Sequence, residues 1–171
     1  MISLAQLNAM PREMFRSTLA GIFEHSPWVP DRAWSRRPFA TITALHGAMC
    51  DSVTNADREE QTALIRAHPQ LAGKAAIRGE LSSASADEQS DAGLDQCSAE
   101  EYAEITRLNA TYMEKFGFPF ILAVRGHTRS SIIKALEERV NNNTDAEFDE
   151  ALRQIEKIAG FRLETLLAIT L

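Results

Sequence analysis

The chain lacks the features that mark the commoner functional classes. Its 171 residues include only two cysteines, Cys50 and Cys97, in neither a CxxC pair nor a metal-ligand spacing. They read as free thiols of a reducing compartment, with one disulfide as the alternative. The four histidines, His25, His46, His68 and His127, form no HExxH or other zinc spacing, so no metal site is expected. P-loop, GxGxxG and GxSxG patterns are absent, which argues against NTPases, dinucleotide enzymes and hydrolases built on a nucleophile elbow. Positive charge is in deficit, with 18 Lys and Arg against 24 Asp and Glu and a net charge of −6. A nucleic-acid surface needs a basic footprint, so no such partner is expected. A small anionic substrate stays open, because one arginine can serve it. No apolar run is long enough to cross a membrane. The N-terminus has no basic stretch and apolar core of signal type, and Leu-Ala-Ile-Thr-Leu at the C-terminus is no peroxisomal address. A cytoplasmic protein is expected.

Strand signals are equally scarce. Only Phe118–Val124 looks extended, and a lone strand has nothing to pair with. Helical periodicity fills the rest. Pro11 suits a first helical position, followed by Met14, Phe15, Thr18, Leu19, Ile22 and Phe23 at helical spacing. After the Pro27 to Pro30 break, Asp31–Ser35 has room for a short turn of helix. Ile42, Leu45, His46, Met49 and Val53 make the next stripe. Asp57 with Glu60, Ser98 with Glu101, and Thr144 with Glu147 have capping-box spacing, and Thr128 can cap a further helix. Gly117 suits the position just past the helix that carries Tyr102 to Phe116. Residues 73–95, rich in Ser, Ala and Gly, read as loop with short helices. The expectation is an all-α, bundle-like single domain over residues 1–171, with about seven to nine helices and no extended sheet. A chain of this length buries roughly 70% of its unfolded surface and needs no staple.

Three places interrupt the helices with useful chemistry. The first is His68-Pro69. Proline disfavours helical torsions in the residue before it, so a helix should end at or just before His68. An imidazole fixed there suits proton transfer near neutrality, although a helix-end histidine favoured by the dipole is the plainer reading. The second is Ser85-Ala86-Asp87-Glu88-Gln89. Ser85 and Glu88 have capping-box spacing, and a carboxyl at a helix start can also act as acid or base. Gln89 adds an amide that donates and accepts. The third is Phe116 to Val124, where Pro119 removes one N–H and the remaining amides lack a ladder. A plain core connector is one reading, and a seat for a planar polar ligand is the other. Arg162, beside the apolar stripe of the last helix, is either solvated or a carboxylate clamp. Arg66 and Arg125 are weaker candidates for that role.

Together these pieces resemble the 2-oxo-4-hydroxy-4-carboxy-5-ureidoimidazoline (OHCU) decarboxylase family over nearly the full length. The resemblance is carried by Phe23-Glu24-His25-Ser26-Pro27-Trp28, Arg37-Pro38-Phe39 and Ala67 through Lys74. It continues with Ser85, Glu88-Gln89, Ala92-Gly93-Leu94, Asn109, Tyr112 and Lys115 through Phe120. Arg139 with Asn142, Ile158-Ala159 and Arg162-Leu163 complete it. It implies an all-α homodimer without metal or organic cofactor, converting OHCU to (S)-allantoin and CO₂ in urate catabolism. The family's catalytic histidine falls on His68 and its essential carboxylate on Glu88. Substrate contacts fall on Pro69, Ser85, Gln89, Arg162 and main-chain groups of Phe120, Ile121, Leu122, Ala123 and Val124. His68 is then proton donor or relay to the substrate hydroxyl, and Glu88 sets its protonation state or delivers the stereo-determining proton. Two other readings remain: a catalytically silent helical binding module, and a lyase for a related ureido acid.

Overall fold

A computed structural model describes residues 2–167. The last four residues of the chain, and with them most of the C-terminal address reading, lie outside the described residues, as does Met1 of the N-terminal reading. Among the described residues every regular element is an α-helix or a short 3-10 turn, and none is a strand. The expected all-α class is borne out. The chain divides into two units, residues 1–67 with 156–171, and residues 68–155.

The first unit contains α1 (Leu4–Ala9), α2 (Arg12–Thr18), α3 (Trp28–Ala33), α4 (Ile42–Thr54) and α5 (Arg58–Ala67). A 3-10 turn, Trp34–Arg36, extends α3. Here α2 is shorter than its apolar spacing predicts. Leu19, Ile22 and Phe23 are buried, yet they lie beyond the helix in successive turns closed by Ile22 N–H to Leu19 C=O and Ser26 N–H to Phe23 C=O. Thr18 and Gly21 are weak helix formers, so burial here wins without helix. Met14, read as part of that stripe, is 55% exposed. Asp57 caps α5 through Glu60 N–H at 2.8 Å, and α5 ends at Ala67, as Pro69 requires.

The second unit contains α6 (Lys74–Ile77), α7 (Ser83–Asp91), a 3-10 turn at Leu94–Gln96, α8 (Ala99–Phe116) and α9 (Arg129–Arg139). The last helix, α10 (Thr144–Leu167), begins in this unit and continues into the first. The Ser98–Glu101 capping box on α8 is complete, and Gly117 ends the helix at φ +74°, a left-handed conformation that glycine adopts without strain. Thr128 caps α9 as expected. Two caps fall elsewhere than predicted. Ser82, not Ser85, caps α7 by accepting Ser85 N–H. Asn143, not Thr144, caps α10 by accepting Ala146 N–H at 2.9 Å. Residues 118–124 are an extended, unpaired strap between α8 and α9, buried throughout its apolar positions. An aromatic cluster holds it: Tyr112 lies edge-on to Phe118 and Phe120, and Phe118 lies edge-on to Phe148.

Candidate active site

His68 is the first residue after α5 and is 7% exposed. Pro69 locks its own φ, so few torsions separate the imidazole from the turn beyond it. That turn is closed by Gly73 N–H to Gln70 C=O at 3.3 Å. Ala72, its third residue, has φ +48°, a left-handed conformation that costs a residue with a Cβ about 1–2 kcal/mol. Leu71, before it, has no such φ. That is the pattern of a type II turn, in which the central peptide is flipped.

Side chains from two helices grip that central peptide. Its N–H, from Ala72, donates to Gln89 Oε1 of α7 at 2.9 Å. Its carbonyl, from Leu71, accepts from Asn109 Nδ2 of α8 at 2.9 Å. A backbone N–H can only donate and a carbonyl can only accept, so both amides are oriented by chemistry. Gln89 Nε2 is thereby turned away from the peptide and kept as a donor for anything else it meets. Asn109 Oδ1 is buried and accepts no hydrogen bond among the described residues. An unsatisfied buried acceptor costs about 1–3 kcal/mol, so the donor end must matter at this position.

Helix α7 carries three of the predicted residues. Ser85 and Gln89 are four residues apart, share one face and are both buried, while Glu88 is half-buried. Gln89 also lines a cavity of about 580 Å³ with Ala72, Ala86, Leu94 and Tyr102, but His68, Ser85 and Glu88 do not line it. The strap supplies Phe120 to Val124, all buried. Two of its main-chain groups are already engaged. Ala123 N–H donates to Gln154 Oε1 at 3.0 Å, and Ile121 C=O accepts from Arg139 Nη1 at 2.5 Å. The ladder missing from the sequence is thus partly replaced by side chains.

Arg139 itself is held by a buried carboxylate. Its Nε donates to Glu147 Oε1 at 2.7 Å, Tyr112 Oη donates to the same oxygen at 2.5 Å, and Asn142 Nδ2 donates to Oε2 at 2.8 Å. The Arg139 guanidinium also lies over the Phe120 ring, 4.5 Å from its centre. Burial, and then the bond to the Glu147 carboxylate, push the Tyr112 phenol far above its usual pKa.

Arg162 lies in the first unit, buried, with Nη1 donating to Glu24 Oε2 at 2.8 Å and to Gly21 C=O at 3.1 Å. It is therefore not a solvated arginine. Among the described residues, no group of three or more His, Cys, Asp or Glu side chains is placed to hold a metal ion. The sequence gives no structural role to Asn109, Gln154 or Glu24, and reads Glu147 as a capping residue, not as the buried partner of Arg139. A signal existed for Asn109, Glu147 and Gln154: each is polar and adjoins a buried apolar residue of its helix, namely Leu108, Phe148 and Ile155.

Comparison with known proteins places this chain among the decarboxylases. It belongs to the OHCU decarboxylase family, whose family model matches residues 8–164. It is 42% identical to the 2-oxo-4-hydroxy-4-carboxy-5-ureidoimidazoline decarboxylase of Haloferax volcanii, covering 95% of this chain and 94% of that protein. It is 41% identical to the uric acid degradation bifunctional protein of Bacillus subtilis, covering 98% of this chain but 33% of that longer protein. Among solved structures it is similar to (S)-allantoin synthase, with a TM-score of 0.79, 29% identity, and coverage of 97% of this chain and 54% of that one.

Proposed function

We propose that the protein is a carboxy-lyase of urate degradation, converting OHCU to (S)-allantoin and CO₂ by acid–base catalysis without a cofactor. One arrangement carries the reading. The turn two residues beyond His68 is hydrogen-bonded through Ala72 to Gln89, on the helix that bears Ser85 and Glu88. In the reaction the bond to the carboxylate carbon breaks and CO₂ leaves. The electron pair conjugates into the adjoining ring C=N. The substrate hydroxyl gives up its proton to become a ring carbonyl, the former C=N carbon gains a proton on one face, and the former C=N nitrogen gains another to become N–H, so one proton is taken up from solvent for each carboxylate lost as CO₂.

The protein's tasks are to turn the carboxylate out of the ring plane and to manage the protons of the hydroxyl and of the reacting carbon. His68 acts as donor or as relay to the hydroxyl, with Glu88 setting its protonation or delivering the proton to carbon. Pro69, Ser85 and main-chain groups of Phe120–Val124 seat the ring and its ureido arm, and Gln89 donates to a substrate oxygen. Arg162 belongs to the set through the family resemblance, as a partner for substrate oxygens. The finer reading is a homodimer working in the cytoplasm; sedimentation of the purified protein at twice the chain mass tests the first half. No helix among the described residues is long and apolar enough to cross a membrane.

The deciding experiment follows freshly made OHCU by circular dichroism. The wild-type chain should speed the appearance of the (S)-allantoin signal, and His68→Ala should lower kcat about 10²–10⁴-fold. No acceleration over spontaneous decay would sink the activity. Wild-type rates in both His68→Ala and Glu88→Ala would sink the site.

A further inference from the structure

The Leu71–Ala72 peptide is the central peptide of the turn that leaves His68, and its orientation selects the turn type. Rotating it by half a turn would exchange the positions of its C=O and N–H and return Ala72 to negative φ. Left alone, a Leu-Ala sequence favours that relaxed form, because only Gly or Asn commonly accepts positive φ at the third turn position. Two side-chain amides oppose the rotation. Gln89 Oε1 accepts from the Ala72 N–H and Asn109 Nδ2 donates to the Leu71 C=O, both at 2.9 Å, so the peptide rotates only if both side-chain amides turn over with it. Two residues separate this peptide from His68, and one is Pro69 with its locked φ.

Asn109 has no other evident reason to be polar. It lies on the buried face of α8 with Ile105, Leu108, Tyr112 and Phe116, where a leucine would pack without leaving an acceptor stranded. We infer that Asn109 is a positioning residue for His68, acting through the clamped Leu71–Ala72 peptide. The inference rests on the reading of His68 as the proton-transferring group. Gln89 is the second jaw, but its proposed contact with substrate makes it a poor probe. The one side-chain hydrogen bond of Asn109 among the described residues goes to the peptide, so it isolates the effect.

Asn109→Leu and Asn109→Asp test this. In Asn109→Leu the donor is lost and the peptide is free to relax. The expected result is a kcat at least 10-fold lower with KM changed less than 3-fold, and a melting temperature held or raised. In Asn109→Asp the protonated carboxyl can donate to Leu71 C=O, whereas the carboxylate repels it. Its kcat relative to wild type should therefore rise as pH falls, while the Asn109→Leu ratio stays flat. A purely structural asparagine would give the reverse: lower melting temperatures, unchanged kcat and no pH-dependent ratio in Asn109→Asp.

The NMR resonance of the His68 ring, assigned by its loss in His68→Ala, supplies a readout independent of turnover. It should move in whichever of the two Asn109 variants folds. An unmoved His68 resonance and titration midpoint overturn the inference whatever the activity. A moved resonance in a protein whose wild type leaves OHCU untouched supports the positioning role and removes the proposed activity instead.

Discussion

The Arg139 guanidinium and the Glu147 carboxylate form a buried pair in which one oxygen, Glu147 Oε1, receives Arg139 Nε at 2.7 Å and Tyr112 Oη at 2.5 Å. Glu147 is 0% exposed, and its other oxygen is taken by Asn142. A carboxylate so placed is stable only while its cation remains. Glu147→Ala should therefore destabilise the protein by about 3–5 kcal/mol, because it strands Arg139 rather than because it removes a strong bond. Chemical denaturation of the variant beside Arg139→Met/Glu147→Leu checks this. The double variant should lose markedly less than the sum of the two single changes.

Gln154 performs a simpler task at the same strap. Gln154→Leu leaves the Ala123 N–H without its acceptor inside a buried segment. The expected cost is about 1–3 kcal/mol in denaturant midpoint analysis. Decarboxylation should slow as the strap loses its fixed geometry. Wild-type stability in this variant would mean that the strap amide finds another acceptor.

Alkali should weaken the fold through two groups in separate windows. Burial pushes the Cys50 thiol up from 9.0 to about 12, and burial with the Glu147 bond raises the Tyr112 phenol well above 10. Both folded pKa values lie above the unfolded ones, so the stabilisation is complete below the unfolded pKa. It fades as pH rises toward the folded pKa, because only the unfolded chain then releases the proton. The Cys50 share is lost between about pH 9 and 12, and the Tyr112 share from about pH 10 upward. Each contributes a slope of at most about 1.4 kcal/mol per pH unit. Urea midpoints from pH 8 to 11 should fall less steeply in Cys50→Ser and in Tyr112→Phe than in wild type, although Tyr112→Phe begins lower.

Cys50 should also be a poor nucleophile. Its Sγ lies 3.4 Å from His46 Nε2, a pairing that can resemble an activated thiol. The same nitrogen lies 2.8 Å from the Glu156 carbonyl, which can only accept, so Nε2 carries its proton and cannot take one from sulfur. With a pKa of about 12, roughly one thiol in ten thousand is ionised at pH 8. A disulfide reagent at that pH should label Cys50 far more slowly in the native protein than in urea. Equal rates would contradict the burial of the thiol.

Local signals are legible in the sequence and long-range ones are not. The end of α5 before His68 follows from one proline, and the Ser98–Glu101 box from two side chains three residues apart. The cap of α7 falls three residues earlier than Ser85 because Ser82, Ser83 and Ser85 are all competent caps, and tertiary packing chooses between them. Glu147 has the spacing of a capping residue, but its partners are Tyr112, 35 residues earlier, and Arg139, eight residues earlier. Arg162 and Glu24 meet across 138 residues. Such pairings depend on which helices pack, and no local pattern records that. Within the candidate site, the Gln89–Ala72 and Asn109–Leu71 bonds are invisible in the sequence for the same reason.

One helix serves both parts of the second unit's site. Asn109 grips the turn after His68, and Tyr112, three residues on along the same buried face, holds the strap through Phe118 and Phe120. Their phase is thus set by helical pitch. A single alanine inserted between them would rotate one relative to the other by about 100° and shift it by about 1.5 Å. Neither turn nor strap has regular structure of its own to absorb that error. Lineages of this fold should accordingly accept length changes in residues 73–82 or around Gly126, while the interval from Asn109 to Tyr112 keeps a constant count.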